Sequence, residues 1–311
     1  MPKRLFLVDG HAQTYRAFYA VEGLRAPDGR PTGAVYGFTR MLMDTIRRHR
    51  PDYLAVAFDA PGPTFRHEAY ADYKATRKPT PSELTAQVPL IHQIVEAFGI
   101  PIYMIDNYEA DDVIGTLARK ALDQGLDQVV LVSADKDLAQ LLAGRVCIYD
   151  PRKDEFTTAD EYEKKKAFPP HLLPDVMGLV GDSSDNIPGV PGIGHKGAAQ
   201  LIGRYGSLDA LLEHKDEVKG KRGESLRQHA DQARLSRDLA TIDRQVPVDL
   251  DLDACRHTTP HEAQLFSLYD DLGFQTLKKT LSDATLQRNA VDTDYRLVNT
   301  EDAYQDFRAQ L

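Results

Sequence analysis

The sequence predicts an α/β fold built on a mostly parallel sheet flanked by helices. Three apolar runs carry that prediction: Leu5-Phe6-Leu7-Val8 stops at Asp9, Tyr53 to Phe58 stops at Asp59, and Val129 to Val132 leads through Ser133-Ala134 to Asp135. Runs without polar alternation suit strands covered on both faces, and segments of helical period lie between them, as parallel strands require. Ligand sites in such sheets lie beyond the carboxyl ends of the strands, so the three aspartates are expected along one edge.

Between the strands, Gly33 to Arg48 reads as a helix with Val35, Phe38, Leu42 and Ile46 on one side. A second helix begins at Ser82 and places Val88, Ile91, Ile94, Val95 and Phe98 on one face until Gly99 stops it. The stretch between them, Phe65 to Pro81, lacks a core stripe and interleaves Arg66, Lys74, Arg77 and Lys78 with Tyr70 and Tyr73. After about Phe168 the strand signals fade. The chain is therefore read as an α/β part over 1–168 and a helical region over 169–281, with helices at Leu172 to Val180, Gly197 to Tyr205, Ser207 to Glu213 and Leu226 to Thr241. Residues 282–294 are polar and without period, which suits a linker. Tyr295 to Val298 then reads as a new strand, followed by a helix from Glu301.

Composition narrows the function classes. No stretch approaches the roughly 20 apolar residues of a spanning helix, and no secretory signal is visible, so no membrane role and a cytoplasmic home are expected. Cys147 and Cys255 are far apart and form no Cys-x-x-Cys pair, which argues against a disulfide framework or a thiolate zinc site and for buried small hydrophobes. A net charge of −9 runs against a nucleic-acid partner unless the excess acid is gathered in a metal site.

The acids are gathered in this way. Glu109, Asp111 and Asp112 crowd the first turn of a helix whose buried face is Val113, Ile114, Leu117, Ala121 and Leu122. Acids at a helix N-terminus are commonplace by themselves. Here Asp135 and Asp137 follow a buried strand, Asp182 and Asp185 follow a helical run, and Asp9 and Asp59 end two strands. Two unit charges about 4 Å apart repel by roughly 4 kcal/mol at an effective dielectric of 20, so such a cluster needs a cation. Carboxylates without Cys or His select hard ions, Mg²⁺ or Mn²⁺, and this many acids suggest two metals, the arrangement used for in-line phosphoryl displacement.

Two motifs fail on inspection. Gly192-Ile193-Gly194-His195-Lys196-Gly197 fits Gly-x-Gly-x-x-Gly, but Pro188 and Pro191 stand where a dinucleotide fold needs a strand. Asp249, Asp251 and Asp253 begin like a calcium loop, yet Ala254 replaces the turn glycine and Pro260 the bidentate Glu. The glycine hairpin suits a turn between two helices, whose exposed N–H groups at Gly192 and Gly194, with Lys196, can hold a DNA phosphate without reading bases. A plain helix–helix turn is the alternative.

Taken together, Val8-Asp9-Gly10 with Tyr15-Arg16, Phe58-Asp59, Phe65-Arg66-His67 with Tyr73-Lys74, Tyr108 to Asp112, Ser133 to Gln140 and Gly181 to Gly194 resemble the 5′-nuclease family of bacterial DNA polymerase I and the flap endonucleases, over roughly residues 3 to 281. The resemblance implies a structure-selective 5′-3′ exonuclease and 5′-flap endonuclease that acts on DNA with 5′ flaps, nicks or RNA primers in replication and repair. It implies a monomer, a helical arch over about 66–98, and a helix-hairpin-helix element that grips duplex DNA and can hold K⁺. It carries over Asp9, Asp59, Glu109, Asp111, Asp112, Asp135, Asp137, Asp182 and Asp185 as ligands of two Mg²⁺ (or Mn²⁺) or their supporting shell. Arg16, Arg66, Lys74 and Arg77 match residues at the scissile phosphate or the 5′ strand, and Tyr73 is expected to meet DNA. His195 and Gly197 depart from the Glu and Thr usual in the hairpin. The tail from Tyr295 resembles the opening of a 3′-5′ exonuclease-like domain, giving the expectation that 295–311 begins a truncated further domain. Three other readings remain at this point: a free-standing 5′-3′ exonuclease, a non-catalytic DNA-binding module with structural metal, and a nucleotide-binding α/β enzyme.

Overall fold

A computed structural model describes residues 2–291, together with Gln305 and Arg308. A six-stranded sheet has the order β3-β2-β1-β4-β5-β6, formed by β1 (Arg4–Asp9), β2 (Tyr53–Ala57), β3 (Ile102–Tyr103), β4 (Gln128–Val132), β5 (Val146–Asp150) and β6 (Glu155–Thr157). Every pairing is parallel except β5 with β6. The expected mostly parallel sheet is thus present, with an antiparallel edge strand that the three apolar runs did not announce.

Helices follow the chain in order. The first six are α1 (Gly10–Ala20), α2 (Gly33–His49), α3 (Phe65–Ala69), α4 (Ser82–Thr85), α5 (Val88–Ala97) and α6 (Ala110–Asp123). Then come α7 (Ala159–Lys166), α8 (Leu173–Val180), α9 (His195–Tyr205), α10 (Leu208–Glu213), α11 (Gly220–Gln228) and α12 (Ala230–Ala240). The last three are α13 (Leu252–Cys255), α14 (Glu262–Asp271) and α15 (Gln275–Val291). The single helix expected from Ser82 is broken into α4 and α5 where Pro89 enters the second helix's first turn. Likewise Leu226 to Thr241 is two helices meeting at His229, which ends one and caps the next.

Strand residues divide by parity between two cores. Leu5, Leu7, Ala55, Val129, Leu131 and Ile148 face α6, α8 and the helices beyond, whereas Phe6, Val8, Leu54, Val56, Val130 and Tyr149 face α2, α5, α14 and the start of α15. Both faces being dry explains the unbroken apolar runs. Cys147 and Cys255 lie one in each core, buried as expected.

Two expectations change at the C-terminal side. Leu265, Tyr269, Leu272, Leu277 and Leu281 pack on the sheet with Phe6 and Phe38, so the last part of the region read as 169–281 belongs structurally to the α/β core. The stretch read as a linker at 282–294 begins as helix, because α15 continues to Val291. A polar stretch without an apolar period gives no helical signal, which is why it reads as a linker. The expected further domain at 295–311 lies outside the described residues, apart from the isolated Gln305 and Arg308.

Candidate metal centre

Register explains why the acids meet. Asp9 pairs with Ala57 and Val8 with Val132, so β1, β2 and β4 end level and deliver Asp9, Asp59 and Asp135 to one edge. Asp9 caps α1 by accepting from Ala12 N–H at 2.9 Å, and its other oxygen accepts from Ser133 Oγ at 2.7 Å. Asp59 accepts from Ala110 N–H at 2.8 Å, which aims it at the N-terminus of α6. His11 Nδ1 stands 3.4 Å from the other Asp59 oxygen.

Asp111, in the first turn of α6, is the hub. Desolvation pushes its carboxyl well above the usual range, and the charges of Asp9, Asp135, Asp59 and Glu109 push it further. Burial likewise raises Asp9 to about 6, and desolvation followed by repulsion from Asp135 raises Asp137 to about 7. Asp182 goes the other way: despite burial, Lys136 at 2.6 Å and the Ser184 N–H at 2.8 Å hold it below the usual carboxylate range. The charge of Asp135 acts on Asp9 and Asp111 as well as on Asp137, and so links the two groups of acids.

The loop bearing Asp182 and Asp185 is held by a close crossing of glycines. Asp182 and Ile187 exchange backbone hydrogen bonds at 2.9 and 2.8 Å. Gly181 and Gly189, both at positive φ, pass so closely that a Cβ on Gly189 would meet Gly181 N and Val180 C at 2.4 Å.

The basic stretch between α3 and α4 reaches these acids from the opposite side. Lys74, at φ +56°, donates its ammonium to Glu109 at 2.5 Å and its backbone N–H to Asp185 O at 2.9 Å. Arg77 pairs with the Asp185 carboxylate. A cavity of about 30 Å³, room for a water-sized species, is lined by Glu109, Asp111, Asp137, Asp182 and Asp185 together with Arg66, Tyr73 and the apolar Met177, Ile187, Leu239, Ala240 and Ile242. Among the described residues no three His, Cys, Asp or Glu side chains converge as a finished ion cage. Lys74, Arg77 and Lys136 occupy carboxylate oxygens that such a cage would use.

Four expected site residues have their polar groups engaged within the protein. Asp112 is fully buried and accepts from Arg66 at 2.6 and 2.7 Å, from Glu109 N–H at 3.1 Å and from Asp243 N–H at 2.8 Å. Its oxygens are filled by these donors, so it braces the first turn of α6 beside the other acids. Arg66 is correspondingly occupied, also donating to Leu239 O and Thr241 O, and is not free to meet a phosphate. Tyr73 is 3% exposed, with its hydroxyl on Glu109 and Asp185, so its ring is not offered to a DNA base. Arg16 pairs with Asp150 at 3.0 Å and makes no contact with the acid group. Gly192, Gly194 and Lys196 sit exposed at the start of α9, between α8 and α9 as expected. Ser133, His11 and Lys136 were not singled out from sequence; their signal was adjacency to Asp9, Asp135 and Asp137.

Comparison with known proteins agrees with this architecture. The family described as 5′-3′ exonuclease, N-terminal resolvase-like domain matches residues 4–167, and 5′-3′ exonuclease, C-terminal SAM fold matches 168–263. The DNA polymerase I of Chloroflexus aurantiacus is 47% identical over 279 residues, covering 87% of this chain and 29% of that protein. The DNA polymerase I of Bacillus caldotenax is 43% identical over 282 residues, covering 89% and 32%. The chain thus spans about a third of the length of these curated relatives. Among solved structures, T5 5′-exonuclease with divalent metal ions (zinc) bound shares the fold with TM-score 0.63 at 21% identity, over 78% of this chain and 90% of that one. The catalytic core of Rad2 in complex with DNA substrate does so with TM-score 0.59 at 15% identity, over 88% of each chain. Sequence match over both regions and likeness of fold lead to one conclusion: the chain belongs to the 5′-3′ exonuclease family.

Proposed function

We propose that the chain hydrolyses phosphodiester bonds near 5′ ends of DNA carrying flaps, nicks or RNA primers, using two Mg²⁺ or Mn²⁺ ions, as the nuclease portion of a DNA polymerase I. The observation that carries this reading is the convergence of Asp9, Asp59, Glu109 and Asp135 on Asp111, whose carboxyl is raised well above its ordinary range by burial and then by their charge. Such mutual repulsion is relieved by a cation, and an all-oxygen donor set fits hard divalent ions. Asp9, Asp59, Glu109 and Asp111 would hold one ion, and Asp137, Asp182 and Asp185 the other, with Asp135 between them. Bound there, the ions supply Lewis acidity and charge neutralisation at the reacting phosphate.

The chain's own residues do the rest. Ser133 fixes Asp9 by hydrogen bond, and α6 points its N-terminal dipole at Asp59. Lys74 and Arg77, already drawn to the acids, are placed to neutralise charge developing on a phosphate in the cleft. The hairpin at Gly192 and Gly194 holds duplex backbone away from the chemistry. Incubation of a labelled 5′-flap duplex with the chain tests the reading. Release of 5′-phosphorylated fragments only when Mg²⁺ or Mn²⁺ is present is expected, and intact DNA under those conditions would overturn it.

A further inference from the structure

Gly197 leaves the first turn of α9 without a side chain, and Arg222 of α11 occupies the space. An added Cβ at Gly197 would have the Arg222 side chain as its nearest neighbour, 3.5 Å from Cζ and Nη1 and 3.8 Å from Nε. The guanidinium therefore lies against α9 one turn beyond Gly194, the residue that caps it. The placement is braced, since Ser225 on the same helix donates to Pro191 O at 2.7 Å and ties α11 to the hairpin.

Arg222 is exposed and, among the described residues, has no hydrogen bond or ion pair. Its neighbour on α11 differs: Arg227 is turned toward Lys215 O, Val218 O and Asp216. An unpaired guanidinium held at a helix N-terminus, beside an equally unpaired Lys196, concentrates positive charge without an internal anion to satisfy it. Lys196, two residues after Gly194, and Lys221, next to Arg222 in the chain, are also exposed. A guanidinium donates two parallel N–H bonds to one phosphate, which an ammonium cannot do.

We propose that Arg222 is a duplex-backbone contact of the hairpin, binding a DNA phosphate from its place against Gly197. The proposal rests on the reading of the hairpin as a duplex grip. It also gives Gly197 a role: a Cβ there would only touch the guanidinium, but the branched side chain of a threonine would press on it.

The test is duplex binding by the full chain without divalent metal, so that no DNA is cut, measured across a salt series for wild type, Arg222→Ala, Lys196→Ala, Gly197→Thr and the Gly197→Thr/Arg222→Ala double variant. Arg222→Ala is expected to weaken binding roughly five- to tenfold at 0.1 M salt and to reduce the salt slope by about one contact. Gly197→Thr should weaken binding in the wild-type background and change it little once Arg222 is absent. Circular dichroism checks that each variant folds. If Lys196→Ala weakens binding but Arg222→Ala leaves affinity and slope unchanged, the assignment of Arg222 fails while the hairpin stands. If neither variant has an effect, the duplex grip itself is refuted. Equal effects of Gly197→Thr in both backgrounds would also overturn the role given to Gly197.

Discussion

Arg66 and Asp112 form a buried bidentate ion pair, at 2.6 and 2.7 Å, that ties the start of the basic segment to the first turn of α6. The remaining Arg66 donors reach Leu239 O and Thr241 O, so one side chain joins three parts of the chain. Removing one partner leaves the other charged and out of water. Arg66→Ala is therefore expected to cost about 3–5 kcal/mol of folding stability. Urea unfolding measures it, and a loss below about 1 kcal/mol would return Arg66 to a catalytic role.

Lys74 sits on Glu109 with its backbone in the left-handed region, a conformation held by its N–H bond to Asp185 O. If its ammonium transfers to the reacting phosphate, truncation should harm turnover more than affinity. Lys74→Ala is expected to slow single-turnover flap cleavage by roughly a hundredfold while duplex affinity stays within about twofold. The reverse pattern, weak binding with normal turnover, would make Lys74 a binding residue.

Burial raises Asp9 to about 6 and Asp137 to about 7 from an ordinary 3.8. Between those values the folded, metal-free protein binds protons that the unfolded chain does not. The stability these groups contribute is therefore complete below about pH 4 and lost as pH rises through 6 and 7. Asp137→Asn removes its share of the loss. The melting temperature of the metal-free variant is expected to exceed that of wild type at pH 8 and to approach it at pH 5, with Mg²⁺ reducing the difference at pH 8 by stabilising wild type. An equal difference at both pH values would contradict the repulsion.

Much of this was legible in the sequence, and the reason is local. Asp9, Asp59 and Asp135 each end an apolar run, and parallel register then aligns them without further information. What sequence could not assign was which acids already have partners. Asp111 and Asp112 are adjacent and chemically identical, yet a helix turns neighbours about 100° apart, so one faces the cleft and the other faces Arg66. Tyr73 was misplaced for a related reason: a tyrosine among lysines and arginines suits a DNA surface, and only the fold closes Glu109 and Asp185 over its hydroxyl. The short strands β3 and β6 have too few residues to show a period, and Pro89 hid a helix break inside a continuous apolar face.

Gly189 is predicted to tolerate no side chain. Its φ of +63° and the 2.4 Å approach of Gly181 N leave a Cβ nowhere to go without moving the Asp182–Asp185 loop. Gly189→Ala should raise the Mg²⁺ concentration needed for half-maximal cleavage by about tenfold or more and lower the melting temperature. Unchanged metal dependence would mean that the loop's position does not matter to the site.

If the acids around Asp111 hold the metal that makes cleavage possible, removing one of their charges must stop turnover and leave the fold intact. Single-turnover cleavage of a labelled 5′-flap duplex over a Mg²⁺ titration, by wild type and Asp111→Asn, tests it most directly. No cleavage by wild type in chelator and a rise with Mg²⁺ are expected. Asp111→Asn should be slower by roughly a hundredfold or more at every concentration, while folding at least as stably as wild type without metal because a repulsive charge is gone. Cleavage by wild type in chelator, or near-normal Mg²⁺-dependent cleavage by Asp111→Asn, would contradict it.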